Sequence, residues 1–541
     1  MKRNKTVLFM AFVIISVSFL SAGAGGGDNK ATPGPVPDEI LKVMRKPLYA
    51  DATWSLKVVD LESGENIYDL NSGLLAYTGS VRKTFSVGMA LNELGPDHRF
   101  RTPVYRKGDV SSEGVLSGDL ILVANGDLTM GGRNTPEGTV AFTSFDHTEA
   151  NSLGSAILTK PDPLQGIDEL AAQVAASGIT KVNGDVVVDD RLFDLFRVPN
   201  GNVLITPMII NDNLVDVTII PTEPGKPATV EWRPKSAALV VESDVVTAAE
   251  GEDMTVGLTM DNPDCVGLPG CVGKVTGQIP VGYKPSLPGI PTLVQTFSIQ
   301  DPATYARIVL IEALERAGVE VAADTVAKNN RGLLPPPGSY KGDAKVAELV
   351  SLPYSQYTRL ILKVSHNLGA NLSLMLFGLT QGARTIDTAL AAERKTLIDD
   401  FGLKGPEFDF PTNGSGSPDS QAAPDATVKL LREMSRREVF PAYFASFPVL
   451  GVDGSLATVG VDPPNPAIAP AIGKVYAKTG TTVLGTFFKA QVFAGYIDAK
   501  SGRRLVYALY VNDIGTLKDI TEALEVFDDE GEISEIIYDL N

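Results

Sequence analysis

Residues 475–512 read VYAKTGTTVLGTFFKAQVFAGYIDAKSGRRLVYALYVN, and the fold class turns on this stretch. Val475–Thr479, Thr486–Ile497 and Arg504–Asn512 alternate apolar with polar or small side chains, the period of two that a β-strand imposes. Asp498–Gly502 has turn composition, so the last two runs are expected to pair as a hairpin. The pattern then changes to an amphipathic helix over Thr516–Phe527. At the other end of the chain a short helix near Asp38–Arg45 precedes a second hairpin, Trp54–Asp60 and Asn66–Asp69 around Glu62-Ser63-Gly64. Strands from both ends of a chain can share one sheet only if the intervening residues pack around it or leave it.

Both happen here. Residues 79–95, GSVRKTFSVGMALNELG, put Val81, Phe85, Met89 and Leu94 near helical spacing and stop at Gly95, which predicts a buried helix with Ser80 at its head. From about Arg101 to Thr296 the texture becomes short β runs such as Leu120–Ala124, Val186–Asp189, Leu214–Ile220 and Leu239–Glu242, with one helical stretch at Gly166–Ser177. The helical pattern returns at Tyr305–Ala317 and Tyr354–Leu379, followed by a Gly/Ser/Pro loop at Pro411–Pro424 and a helix to Arg437. The expectation is an α/β domain split by a large β-rich insertion.

Length agrees, because 541 residues correspond to three or four units at roughly 150 residues per domain. The formal charge of −18, from 47 basic and 65 acidic residues with no long basic block, opposes a phosphate backbone and excludes nucleic acid as an expected partner. His98, His147 and His366 are scattered and lack metal-ligand spacing, so neither a metal site nor a Ser-His-Asp triad is expected, and no cofactor is implied.

Lys2, Arg3 and Lys5, the apolar run Val7–Leu20 and Ala22-Gly23-Ala24 have the layout of a secretory signal, read as residues 1–24. The alternative is an uncleaved anchor, for which the apolar run is short. An acidic tail without a basic amphipathic helix argues against a C-terminal anchor and for peripheral membrane contact at most. Cys265 and Cys271 are the only cysteines; in an oxidising compartment they are expected to form a local disulfide that restrains the unfolded chain by about 2 kcal/mol, two unpaired thiols being the other reading.

Three short motifs carry the chemistry: Ser80-Val81-Arg82-Lys83, Ser365-His366-Asn367 and Lys478-Thr479-Gly480. Positions i and i+3 share a helix face, so the Lys83 amine can reach the Ser80 hydroxyl. Burial and the positive charge of Lys478 are expected to lower the Lys83 pKa and free an amine to act as base near pH 7. Gly480, on a strand, is expected to let a substrate backbone lie close.

With these motifs the chain resembles the serine-type D-alanyl-D-alanine carboxypeptidases and endopeptidases, the low-molecular-mass class C penicillin-binding proteins. Further similar stretches are LNELGPDHRFRT (91–102), GDLILVANGD (118–127), VNGDVVVDDRLFD (182–194), DPATYA (301–306), NGSG (413–416), VLGVDGSL (449–456) and AKTGT (477–481). The resemblance implies the penicillin-recognising serine transferase fold, a five-stranded antiparallel sheet with helices, split by two smaller domains. It places the catalytic domain at 36–100 and 297–541, one β-rich inserted domain at 101–125 with 206–296, and a second at 126–205. It implies Ser80 as acylated nucleophile, Lys83 as base, Ser365 as proton relay and Asn367 as a ligand of the substrate peptide carbonyl. Lys478 and Thr479 would hold the terminal carboxylate beside Gly480, and the amides of Ser80 and Thr481 would form the oxyanion hole.

The substrates implied are peptidoglycan stem peptides, with β-lactams as covalent inhibitors, and the compartment is periplasmic or extracytoplasmic. Carboxypeptidase action is the leading reading, with DD-endopeptidase action on cross-links open beside it. A non-catalytic wall-binding relative and a β-lactamase are the alternatives; the latter lacks a clear Glu-containing deacylation motif and would be unusually long. One departure stands out: the family's middle residue in the second motif is usually Asp, and here it is His366. Its side chain is expected to face away from substrate, behind the loop or at the surface.

Overall fold

The structure is a computed structural model that describes residues 34–287, 289–517 and 520–541. The secretory-signal reading of residues 1–24 lies outside the described residues.

A five-stranded antiparallel sheet organises the molecule, in the order Asn66–Leu70, Thr53–Asp60, Arg504–Thr516, Phe487–Asp498, Val475–Leu484. The first long strand therefore pairs with the last, in a register that sets Leu56 opposite Leu509. Alternation sorts the side chains into two interiors. Val492, Ala494 and Tyr496 join one apolar cluster, and Phe493 and Ile497 join the other. Because helices cover both faces, the two central strands are buried almost throughout instead of every second residue. One face is covered by Asp38–Met44 and Ile520–Leu540, the other by Arg82–Leu94, Tyr354–Lys363, Asn367–Thr380 and Pro424–Ser435.

Arg82–Leu94 is buried on nearly every side, as befits a helix at the centre of a domain. A 3₁₀ turn, Gly79–Val81, leads into it and carries Ser80, and it ends where the Gly95 amide donates to the Leu91 carbonyl at 3.0 Å with φ 83°. The buried Arg82 guanidinium pairs with Glu393 and lies 4.0 Å over the Phe410 ring.

The expected continuous helix over Tyr354–Leu379 is two helices, Tyr354–Lys363 and Asn367–Thr380. Apolar spacing runs through the break because both helices bury into one core. Ser365 interrupts it with a left-handed backbone, φ 63°.

Strand pairing regroups the insertion relative to the sequence reading. Arg101–Val110 and Val115–Val123 pair with Lys181–Val182, Val186–Asp189, Glu320–Val321 and Lys345–Val350 in one six-stranded sheet. Residues 101–125 thus share a sheet with part of 126–205, not with 206–296, and the sheet takes strands and the helix Pro302–Arg316 from beyond residue 297. Residues 214–298 form three smaller sheets of their own. Both groups bury side chains in one contiguous cluster running from Val104 to Leu349. Periodicity identifies strands and helices, but it says nothing about which non-local partner a strand takes. Cys265 and Cys271 are bonded to each other.

Candidate active site

Ser80 stands on the turn at the head of the buried helix, and three residues on, the fully buried Lys83 points its Nζ to 2.6 Å from the Ser80 Oγ. The same amine lies 2.7 Å from Asn367 Oδ1, 3.2 Å from Ser365 Oγ and 3.0 Å from the Ser415 carbonyl. Four oxygens around one nitrogen fix its position without supplying a carboxylate in direct contact. Burial pulls the Lys83 amine down to about 7, against the opposing pull of the Glu149 carboxylate. A neutral amine at hydrogen-bond distance from a hydroxyl can accept its proton.

Lys478 comes from the edge strand Val475–Leu484. Its Nζ is also fully buried and donates to Ser365 Oγ at 3.0 Å and to the Thr479 carbonyl at 2.7 Å. Ser365 Oγ therefore bridges the two amines. Burial, and then the charge of Lys83, hold Lys478 well below the usual lysine range. The expected burial of Lys83 is the leading cause of its lowered pKa, and the repulsion between the two amines, which acts on both, comes second to burial.

Gly480 serves a different purpose from the one expected. A methyl placed on it would lie 2.1 Å from the Thr78 carbonyl and 3.1 Å from the Ser80 amide nitrogen, so it is the protein's own nucleophile turn that approaches, not a ligand. In return, a methyl on Gly79, at φ 45°, would lie 2.5 Å from the Thr481 amide nitrogen. The amides of Ser80 and Thr481 are neighbours for this reason. Val475–Leu484 is the outer strand, and Ala477 N–H donates outward to the Pro448 carbonyl. By the alternation of a strand the Thr479 and Thr481 amides face that same open edge. Thr479 Oγ1 lies 2.8 Å from Ser455 Oγ, and Thr481 Oγ1 donates to Gln491 Oε1 at 2.7 Å.

The structure thus brings together Ser80, Lys83, Ser365, Asn367, Lys478, Thr479, Gly480 and Thr481. It also adds residues that no motif announced. Glu149 Oε1 accepts from Asn367 Nδ2 at 2.8 Å, and Asn200 Nδ2 lies 3.2 Å from Asn367 Oδ1 and 2.9 Å from Ser415 Oγ. Both come from the insertion. An amide NH₂ carries two donors, so Asn367 retains one beside its bond to Glu149. Only Ser415 left a trace in the sequence, within the NGSG stretch. His366 is fully buried behind the site: its Nδ1 accepts from the Gly369 amide at 2.9 Å and caps the following helix, while Nε2 faces Asp212 at 3.0 Å. Of the two expected places for this ring, behind the loop or at the surface, it takes the first.

The chain is similar to known proteins over most of its length. The D-alanyl-D-alanine carboxypeptidase of Actinomadura sp. (strain R39) is 26% identical over 524 residues, covering 92% of this chain and 84% of the relative. The D-alanyl-D-alanine carboxypeptidase DacB of Haemophilus influenzae is 21% identical over 483 residues, 84% of this chain and 85% of the relative. The crystal structure of penicillin binding protein 4 from Haemophilus influenzae superposes with a TM-score of 0.66 at 19% identity, over 92% of this chain and 98% of that one, and shares the fold. The family model described as D-Ala-D-Ala carboxypeptidase 3 (S13) matches residues 37–530, and with nearly all of the described chain inside that match, the protein belongs to this family of serine-type D-Ala-D-Ala carboxypeptidases.

Proposed function

We propose that the protein is exported and removes the terminal D-alanine of peptidoglycan stem peptides through an acyl-enzyme on Ser80. The observation that carries this is the 2.6 Å contact of Ser80 Oγ with an amine that burial brings to about 7. Neutral Lys83 takes the Ser80 proton as Oγ adds to the carbonyl of the penultimate D-alanine. The resulting oxyanion is stabilised by the amides of Ser80 and Thr481, each worth about 3 to 4 kcal/mol in a dry site. The proton passes through Ser365 to the leaving amine, D-alanine departs, and water then hydrolyses the Ser80 ester with Lys83 again as base. Asn367 holds the substrate carbonyl with its second N–H, and Lys478 with Thr479 holds the carboxylate. A β-lactam presents the same carboxylate and a strained amide, so it acylates the same hydroxyl; a β-lactam complex of the Haemophilus influenzae penicillin binding protein 4 has been solved. The insertion is proposed to comprise two units, the six-stranded sheet with its helices and the smaller sheets of residues 214–298.

Incubation with uncross-linked and cross-linked muropeptides, followed by mass analysis, tests this function. Release of D-alanine from the pentapeptide is the expected result, and cleavage of the cross-link would add endopeptidase action. Neither product, with no penicillin adduct, would identify a non-catalytic relative; rapid turnover of penicillin alone would identify a β-lactamase.

Two substitutions refine the roles. Lys478→Gln should lower carboxypeptidase kcat/KM several hundredfold, about 3 to 4 kcal/mol, on a peptide with a free terminal carboxylate. The same peptide carrying a C-terminal amide should be affected far less, and equal losses on both would move Lys478 into the proton chemistry. Glu149→Gln keeps an acceptor for Asn367 but removes the anion that raises the Lys83 pKa. Acylation needs neutral Lys83 and rises with pH through that pKa, so the limb should move to lower pH. A limb that stays in place or moves to higher pH in a pH–rate profile of penicillin acylation would refute this coupling.

A further inference from the structure

Ser365 must hold its hydroxyl between two amines from a left-handed backbone, a conformation that costs a non-glycine residue about 1 to 2 kcal/mol and persists only where its surroundings impose it. The imposing contacts are found one residue on. The His366 amide donates to the Ile361 carbonyl at 2.9 Å, and the buried ring is engaged at both nitrogens. Because Nδ1 accepts an amide hydrogen, the ring proton sits on Nε2 and is directed at Asp212 Oδ1.

Asp212 is the hub of a buried charge network in the insertion. Its Oδ2 receives Arg133 Nη2 at 2.6 Å and faces His147 Nε2 at 2.7 Å. Arg133 also grips Asp146 with both terminal nitrogens, at 2.7 and 3.0 Å. His147 Nδ1 faces Asp216 Oδ1 at 2.6 Å, and Arg233 donates to Asp216 Oδ2 at 3.0 Å. A ring with a carboxylate on each nitrogen is held as imidazolium, and its pKa is raised to about 10 despite burial. Three cations, Arg133, His147 and Arg233, therefore balance three anions, Asp146, Asp212 and Asp216, with His366 attached through its Nε2 contact to Asp212. The backbone at the hub is itself left-handed over three consecutive residues, Asn211, Asp212 and Asn213. The turn that supplies His147 also supplies Glu149, the partner of Asn367. Both residues after Ser365 are thus tied to the insertion, and Ser365 is left facing the lysines.

We infer that Asp212, oriented by Arg133 and His147, is a positioning residue for the Ser365-His366-Asn367 turn and acts on the reaction through the His366 ring. It contacts neither lysine nor Ser80, so its effect falls on where Ser365 Oγ stands, and a displacement of about 1 Å in such a group costs about a hundredfold in rate. The inference rests on acylation of Ser80, which wild-type labelling by penicillin checks separately: an unlabelled wild type refutes that chemistry, whereas a labelled one leaves the inference to the variants.

His366→Asn keeps a helix-capping oxygen for the Gly369 amide but ends short of Asp212, and Asp212→Asn keeps the shape of the hub without its charge. In the full-length protein each should slow the first-order acylation step by about 30- to 100-fold, with the dissociation constant of the initial penicillin complex changed less than about threefold. The double variant should be no slower than the slower single, because both break one link. Arg233→Met perturbs the rim of the network without touching Asp212 and should lower the melting temperature while leaving the acylation step within about threefold. Should Asp212→Asn fail to accumulate folded, His366→Asn against Arg233→Met decides. Multiplicative losses in the double variant, losses that appear only in binding, an unchanged rate in His366→Asn, or slowing by Arg233→Met in proportion to its melting temperature would each overturn the inference.

Discussion

Ser80→Ala is expected to remove all covalent labelling by penicillin and to reduce carboxypeptidase turnover by at least 10⁴-fold. The hydroxyl is the only atom removed, and it stands 2.6 Å from the Lys83 amine on a turn locked between Gly480 and the helix it precedes. Neither Ser365 nor Ser415 can replace it. Ser365 Oγ is engaged by two amines and does not stand on the Gly79–Val81 turn beside Thr481, and Ser415 turns its carbonyl, not its hydroxyl, toward Lys83. Folding should be nearly unaffected, since Ser80 is only half-buried and alanine suits the entry to a helix. Intact-protein mass spectrometry after penicillin treatment, followed by peptide mapping of the wild-type adduct, checks both statements. An adduct on another residue, or a surviving adduct in Ser80→Ala, would relocate the nucleophile.

Lys83→Met should be nearly as damaging, with the acylation step slower by about 10³- to 10⁴-fold, the upper part of the range for loss of a general base. Methionine matches the stem in length and sits well in a buried helix, so the change isolates the amine. It leaves Ser80 Oγ, Asn367 Oδ1 and the Ser415 carbonyl each without a donor they now have, so some loss of thermal stability should accompany the loss of rate. The distinguishing readout is the pH profile. In the wild type the acylation rate should rise through a pKa near 7, the value burial imposes on Lys83. In Lys83→Met that limb should vanish, leaving a slow reaction with little pH dependence. A retained limb with less than a tenfold loss would mean that Lys478, whose pKa burial also lowers, serves as the base.

Much of this is legible in the amino-acid sequence. The strand pattern of residues 475–512, the i, i+3 spacing of Ser80 and Lys83 and the stop at Gly95 are local features. A period of two or 3.6 is written into consecutive residues, and a contact three positions away on a helix needs no knowledge of the rest of the chain. The three motifs are each weak strings, yet their order and surroundings carry the resemblance that implies the residues the structure gathers around Ser80.

What escaped was long-range. Glu149 and Asn200 reach Asn367 from an insertion whose strands and loops carry no mark of that destination, and His147 and His366, far apart in the sequence, meet on Asp212. The break at Ser365 hid inside an unbroken apolar periodicity, and Gly480 looked like room for a ligand when it is room for the Ser80 turn. By itself the sequence determined the α/β class and the pairing of Ser80 with Lys83, because both rest on local periodicity and short spacing, while the other site residues were implied by the family resemblance of the motifs. Tertiary structure alone decided which sheet each inserted strand joins, which carboxylates stand near which amines, and hence the protonation of Lys83 and Lys478. Burial and charge–charge distance set those properties, and neither exists until the chain has folded.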